Sequence, residues 1–201
     1  MARSAEALVE TTYSMAALIR LHLRRASAAD AEQIAALHAD SWRRHYRSAY
    51  SDAFLDGDVD ADRRVVWGER LREPDRNAAT IAAEAGGALV GFIHVVFDHD
   101  PQWGALVDNL HVVFASKGRG IGTSLMAEAA RAVLERSDDS GMYLWVLEQN
   151  VAAQAFYEAR AGRCVGRAAV EAPGGVIGRL NGSPAKLRFV WPDPALLLNY
   201  R

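Results

Sequence analysis

The 201-residue chain is half apolar and about a quarter charged, with a formal net charge of -2, the profile of one soluble domain with one sizeable core. This balance, with a pI near 6.3, argues against a broad basic surface for nucleic acid or anionic lipid, and no run of about 18 apolar residues exists to span a membrane. The one cysteine, Cys164, closes no intrachain disulfide, which suits a cytoplasmic location.

In chain order, residues 1–16 read as a frayed leader, with Met15 a candidate natural start, and residues 17–201 as a single domain. "TTYSMAALI" is too short and polar for a secretion segment. "LIRLHLRRA", Leu18 to Ala26, alternates with Ile19, Leu21 and Leu23 on one side, as a strand does. Ser27 and Asp30 stand at capping-box spacing, and Ile34, Leu37, His38 and Ser41 continue a helical stripe. "WRRHYRSAYSDAFLDGDVDAD" extends that helix into a polar, acidic loop, and "RRVVWGERLREP" reads as a further helix stopped by Pro74.

Strand patterning follows. Thr80–Glu84 and Ala88–Asp98 form a hairpin around Gly86-Gly87. Ala105–Phe114 is a fourth strand, then come a glycine turn and a helix from about Gly120 to Arg136. "GMYLWVLEQN" is a fifth strand and Val151–Ala161 a helix, while "GRAAVEA" and "KLRFVWPDP" supply two last strands. The order predicts an α+β fold: a mixed sheet in which a helix returns the chain to a parallel fifth strand.

"SKGRGIGTSLM" places three glycines where a strand ends and a helix begins. It is no Walker A loop, since no Lys-Ser or Lys-Thr pair follows a glycine, and in either register the third glycine of a dinucleotide fingerprint is missing. What remains is a nest of backbone N–H groups from Gly118 to Thr123 opening a helix, suited to a phosphate or pyrophosphate, with Lys117 and Arg119 adding charge; a plain chain reversal is the other reading.

"DNLHVVFASKGRGIGTSLM" resembles the acyl-CoA signature of the GNAT superfamily of N-acetyltransferases, [RQ]-x-x-G-x-[GA], over Lys117-Gly118-Arg119-Gly120-Ile121-Gly122, with Lys117 where Arg or Gln is usual. "LWVLEQNVAAQAFYEARAG" resembles the family's N-x-x-A-x-x-F-Y-E-x-x-G, with Asn150, Ala153, Phe156, Tyr157 and Glu158 in register and Gly162 one position beyond the pattern's last glycine. The likeness runs from about Leu18 to "KLRFVWPD". It implies a GNAT-type, mostly antiparallel sheet of six to seven strands with helices on both faces and splayed strands 4 and 5. Pantetheine would lie in that gap against the backbone of Leu110, His111 and Val112, and the turn Lys117–Thr123 would hold the pyrophosphate of acetyl-CoA.

For acetyl transfer to an amine, the resemblance makes Tyr157 the acid that protonates the leaving thiolate, or else core packing with Phe156. Asn150 would hold the cofactor or order its helix. Asp108 is the first candidate for general base, acting through water, with a side chain expected to face opposite to Asn109 and His111. His111 and Glu148 are the other candidates, His111 for its convenient pKa, although its strand neighbours Val107 and Val113 suggest a core-facing side. Trp42, Tyr46 and Tyr50 recur at i, i+4, i+8 and would line the amine pocket or simply pack. The run Asp52, Asp56, Asp58, Asp60 and Asp62 would attract a cationic amine or be solvated.

No H-E-x-x-H and no paired Cys-x-x-Cys occurs, and "FDHDP" reads as a solvated loop, so no metal is expected. The implied acceptor is a small-molecule or peptide amine. The tail "WPDPALLLNY" is apolar enough to pack on a second copy, giving a homodimer, or back on its own domain. The alternatives are a non-catalytic acyl-CoA sensor, an enzyme using another acyl-CoA and, more distantly, a nucleotide-binding module.

Overall fold

A computed structural model describes residues 20–136 and 141–200. The expected leader, Met15, and Leu18 and Ile19 of the first strand lie outside the described residues. Seven strands, β1 (His22–Arg25), β2 (Ala78–Ala85), β3 (Ala88–Asp100), β4 (Gly104–Val112), β5 (Met142–Leu147), β6 (Arg163–Ala169) and β7 (Ala185–Trp191), form one sheet in the order β1-β2-β3-β4-β5-β7-β6. Among the described residues only β4 and β5 pair in parallel, and the helix α4 (Ile121–Leu134) is the crossover that such a pair requires.

Strand alternation divides the core between two faces. Ile81, Ile93, Val95, Val107, Leu144 and Val146 pack with Leu125, Met126 and Ala129 of α4 and with Tyr157 of α5 (Val151–Glu158). Phe92 faces the other way, against Ile34 and Leu37 of α1 (Ala31–His45) and Trp67 of α3 (Val59–Arg72). A smaller cluster joins Trp42 and Tyr50 to Phe54 and Leu55 of the short α2 (Asp52–Asp56) and to Leu147. The sheet is therefore mixed, mostly antiparallel, with helices on both faces.

The acidic stretch expected as a loop is helical instead. Phe54, Leu55 and Val59 are its buried anchors, and three of its five aspartates fall in first turns, Asp52 in α2 and Asp60 and Asp62 in α3, where the helix dipole favours negative charge. The fourth strand ends at Val112, two residues early, because the chain enters a tight turn at Phe114–Ser116. β6 starts at Arg163, earlier than the expected segment, and pairs with β7 through a register shift between Cys164 and Gly166. In the tail, Leu197 is buried against the α4 core while Leu196 and Leu198 stay exposed. The loop between β6 and β7 docks on the turn after α1: the N–H of Ser51 donates to the Arg179 carbonyl, and that of Asn181 to Ala49, both at 2.9 Å.

The start of α1 shows what Asp30 contributes. Its carboxylate accepts from the Ser27 N–H at 2.7 Å and from both Arg24 terminal nitrogens at 2.9 and 2.7 Å. Arg24 is the main reason that its pKa falls from 3.8 to about 2, against the opposing effect of burial. A pKa depressed by folding stabilises the native state above the unfolded value, and that contribution disappears as pH falls through the folded one. The wild type is thus expected to lose stability between about pH 4 and about pH 2. Asp30→Asn should cost about 1–2 kcal/mol at neutral pH and show a shallower acid decline, measured by urea unfolding; an unchanged pH profile would reject this role.

Candidate active site

The site begins where β4 and β5 part. They pair at Ala105–Met142, Leu106–Tyr143 and Val107–Leu144 and no further; beyond that, β4 continues against β3 and β5 against β7. On β4, Val107 pairs with Val95 but Asn109 with His94, leaving Asp108 as the extra residue of a bulge. The N–H of Val113 donates to Val90 on the β3 side at 2.9 Å. Antiparallel alternation then turns the backbone groups of Leu110 and Val112 away from β3, into the gap.

At the far end of the gap the chain turns into α4. Gly118 and Gly120 both have φ +78, a left-handed conformation that costs glycine little and other residues much. Ser124 makes the first helical bond, to the Gly120 carbonyl at 2.9 Å, so the N–H groups of Ile121, Gly122 and Thr123 lack a helical acceptor. A Cβ on Gly122 would stand 3.2 Å from Phe156 Cζ, so glycine keeps the first turn of α4 open against α5.

A cavity of about 390 Å³ joins these parts. It is lined by Asp108, Leu110, His111, Val112, Lys117, Gly118, Gly120, Ile121, Gly122, Thr123, Asn150 and Tyr157. Arg119 and Glu148 do not line it. Glu148 is held at the surface, where both its oxygens accept from Arg167 at 2.8 Å.

Asn150 caps α5, its side-chain oxygen accepting from the Ala153 N–H at 3.2 Å. That cap starts the helix so that Tyr157, two turns on, reaches the gap between the strands. The Tyr157 ring is buried against Phe156, Phe189 and Trp191. Burial, and next the nearby Tyr46, raise its pKa well above the ordinary value, so at neutral pH it is a protonated donor.

Asp108 sits on the same side as Asn109, not opposite to it. Its Oδ2 accepts from Asn109 Nδ2 at 2.7 Å and from Arg70 of α3 at 2.8 Å. The bulge is the reason: an extra residue breaks the alternation that a regular strand would impose. Among the described residues nothing binds Asp108 Oδ1. Tyr46 completes this end, its pKa pushed up to about 12 by burial and by the charge of Asp108.

His111 lies against α1. Its Nδ1 is 2.8 Å from Ser41 Oγ, its ring centroid is 4.5 Å from that of His38, and burial lowers its pKa to about 3. A nitrogen so reluctant to accept a proton is a poor general base at neutral pH. Of the aromatic stripe, Trp42 and Tyr50 are packed in the core and only Tyr46 lines the cavity. The acidic run is largely matched by arginines: Asp52 and Asp56 with Arg47, Asp60 with Arg43, Asp62 with Arg63 and Arg179.

Sequence reading missed several lining residues. Ser41 and His45 follow the helical stripe one turn apart, a signal that was present; His45 Nε2 is 2.7 Å from Lys117 Nζ. Arg160 occupies a variable position of the second signature, yet donates to Thr123 Oγ1 at 2.9 and 2.7 Å and stacks 3.8 Å from the Phe156 ring centroid. It adds a cation to the nest that only folding brings there.

A strand gap ending in a glycine-built helix start, with a buried phenol between, is the arrangement that the two signatures imply. The sequence profile of the acetyltransferase (GNAT) family matches residues 39–162, well over half of the chain. The chain belongs to the GNAT acetyltransferase family. The GNAT fold recurs in PaiA N-acetyltransferase from Thermoplasma acidophilum, solved with coenzyme A (18% identity, 86% of this chain and 99% of that one, TM-score 0.63). YncA from Salmonella typhimurium, solved with acetyl-CoA, is also similar (16%, 86% and 93%, TM-score 0.58). So is Arabidopsis thaliana NAA60, in complex with a bisubstrate analogue (20%, 86% and 97%, TM-score 0.57). No curated protein matches the chain. GNAT membership supports an acyltransferase. Among the described residues no helix is long and apolar enough to cross a membrane, and no cluster of three or more His, Cys, Asp or Glu could hold a metal ion.

Proposed function

We propose that the protein is a cytoplasmic N-acetyltransferase that moves an acetyl group from acetyl-CoA to a primary amine of a small molecule or peptide, by direct attack in a ternary complex. The observation that carries this reading is the splay of β4 and β5 beyond Val107 and Leu144, opening onto the nest at Gly118–Thr123 with Tyr157 inside the gap. The nest and Lys117, with Arg160 beside it, suit the pyrophosphate. The edge of Leu110 and Val112 offers pantetheine a strand-like partner. The complexes of PaiA with coenzyme A and YncA with acetyl-CoA support the donor, and that of NAA60 with a bisubstrate analogue supports direct attack.

In this arrangement Asp108 Oδ1 takes the amine proton through water, and Tyr157 gives its proton to the departing sulfur. The bond formed is between nitrogen and the acetyl carbon, and the bond broken is carbon to sulfur.

Calorimetric titration with acetyl-CoA, with NAD and ATP as controls, tests the donor, and thiol release with a panel of amines tests turnover. Micromolar binding of acetyl-CoA alone and amine-dependent thiol release are expected. Binding without turnover of any amine would favour an acyl-CoA sensor, and failure of the folded protein to bind would overturn the reading.

A further inference from the structure

Arg188 on β7 stands opposite Trp145 on β5. Leu144 and Val146 face α4, so alternation sends Trp145, and with it Arg188, to the other face of the sheet. There the Arg188 guanidinium lies 4.5 Å from the Trp145 ring centroid, 5.3 Å from that of Trp103 and 5.6 Å from that of Tyr143. Lys186, two residues away on the same strand, places Nζ 5.0 Å from the Trp145 ring.

Several cations elsewhere on the surface are already committed. Arg43, Arg47, Arg70, Arg167 and Arg179 each hold a carboxylate. Among the described residues no carboxylate pairs with Arg188, and its Nε is buried with no hydrogen-bond partner. Lys186 meets only Glu171, at 4.0 Å, and that side chain is almost fully exposed. A buried charged donor without an acceptor is unfavourable, and native structures rarely keep one without use. The strand neighbour of Arg188 on its other side is Gly166, where an added Cβ would meet nothing nearer than Arg188 Cβ at 3.9 Å, so no β6 side chain stands against Arg188 at that position.

The position ties this pair to the site. Trp145 also lines the cavity, and it follows Leu144 as Asp108 follows Val107, one residue past the last β4–β5 pair. We propose that Arg188, assisted by Lys186, binds an anionic group, carboxylate or phosphate, on the acceptor amine. The acceptor is then a zwitterion: its amine lies by Asp108 and Tyr157, and its acid group lies beyond Trp145 on the aromatic bed. Arginine suits this task because its planar fork stacks on rings and still presents paired donors to an oxyanion. The inference rests on the acetyltransferase reading.

The test compares matched acceptors: α- and ω-amino acids against the corresponding alkylamines, and phosphoethanolamine against ethanolamine, which separates the carboxylate from the phosphate. At least one anionic member should have a KM about tenfold below its neutral match, as expected for a charge-assisted contact. Arg188→Met should abolish that preference with the KM for acetyl-CoA unchanged, Arg188→Lys should restore part of it, and Lys186→Gln should weaken it if the Arg188 variants fold poorly. Equal KM values in the wild type, or a preference that survives Arg188→Met, would overturn the proposal. Binding of the same compounds to the CoA-loaded protein is read by calorimetry. Selective binding of anionic members without turnover would retire the acetyltransferase reading and keep the anion site. Turnover without anionic preference would do the reverse.

Discussion

Tyr157→Phe is expected to lower kcat about 10²-fold, the order of a lost general acid, while leaving acetyl-CoA affinity nearly unchanged. The ring itself has every reason to stay where it is. Its contacts with Phe156, Phe189 and Trp191, at centroid distances of 5.3, 5.8 and 5.9 Å, involve no hydroxyl, and among the described residues no protein group hydrogen-bonds Tyr157 Oη. The substitution therefore removes a donor and little packing. Burial raises the phenol pKa, so it does not ionise in the working range. A departing thiolate, with a thiol pKa of about 8.5, is a weaker base than this phenolate even when fully formed, and it gains basicity only as the carbon–sulfur bond breaks. The proton thus moves late, when the carbon–sulfur bond is nearly broken, and removing it should affect kcat rather than binding. Stopped-flow thiol release separates chemistry from product release. An unchanged kcat with a normal melting temperature would remove Tyr157 from the mechanism.

The features legible in the sequence were those encoded by neighbours along the chain. The glycine turn, α4 and the Asn150 cap each need only local contacts, and each lies close to where spacing placed it. The parallel β4–β5 pair followed from the length of the crossover. What alternation could not reveal was the bulge at Asp108, because the extra residue shows only when β4 is registered against β3. It turns Asp108 to the side of Asn109 and under Arg70 of α3, so the partners of the candidate base come from elements 38 residues apart in the chain. Arg160 beside Thr123 and Arg188 on Trp145 were equally hidden. In both, the ring on which the arginine stacks is set by how a strand or helix end docks, which its own sequence does not show. The acidic stretch misled for a different reason: most of its charges sit on α2 and α3 and are matched by arginines, Arg43 of α1 and Arg47 just beyond it among them, and polarity alone reads as loop.

Gly122→Glu is expected to weaken acetyl-CoA binding at least about 10²-fold, corresponding to about 2.7 kcal/mol, and with it to abolish measurable turnover. Two independent effects act together. The new Cβ would meet Phe156 Cζ at 3.2 Å, so α4 and α5 must separate slightly or the side chain must turn into the cavity. In the second case the carboxylate enters the region where the N–H groups of Ile121, Gly122 and Thr123 collect positive potential. There it satisfies those donors itself and repels a pyrophosphate. Gly122→Ala isolates the first effect, since it carries the Cβ without the charge; its Phe156 neighbour is a ring edge in a cavity wall, and a far smaller loss of affinity should result. If Glu and Ala weaken binding equally, crowding at Phe156 and not the charge is what the glycine avoids. If Gly122→Glu binds acetyl-CoA as the wild type does, the first turn of α4 does not hold the pyrophosphate at all.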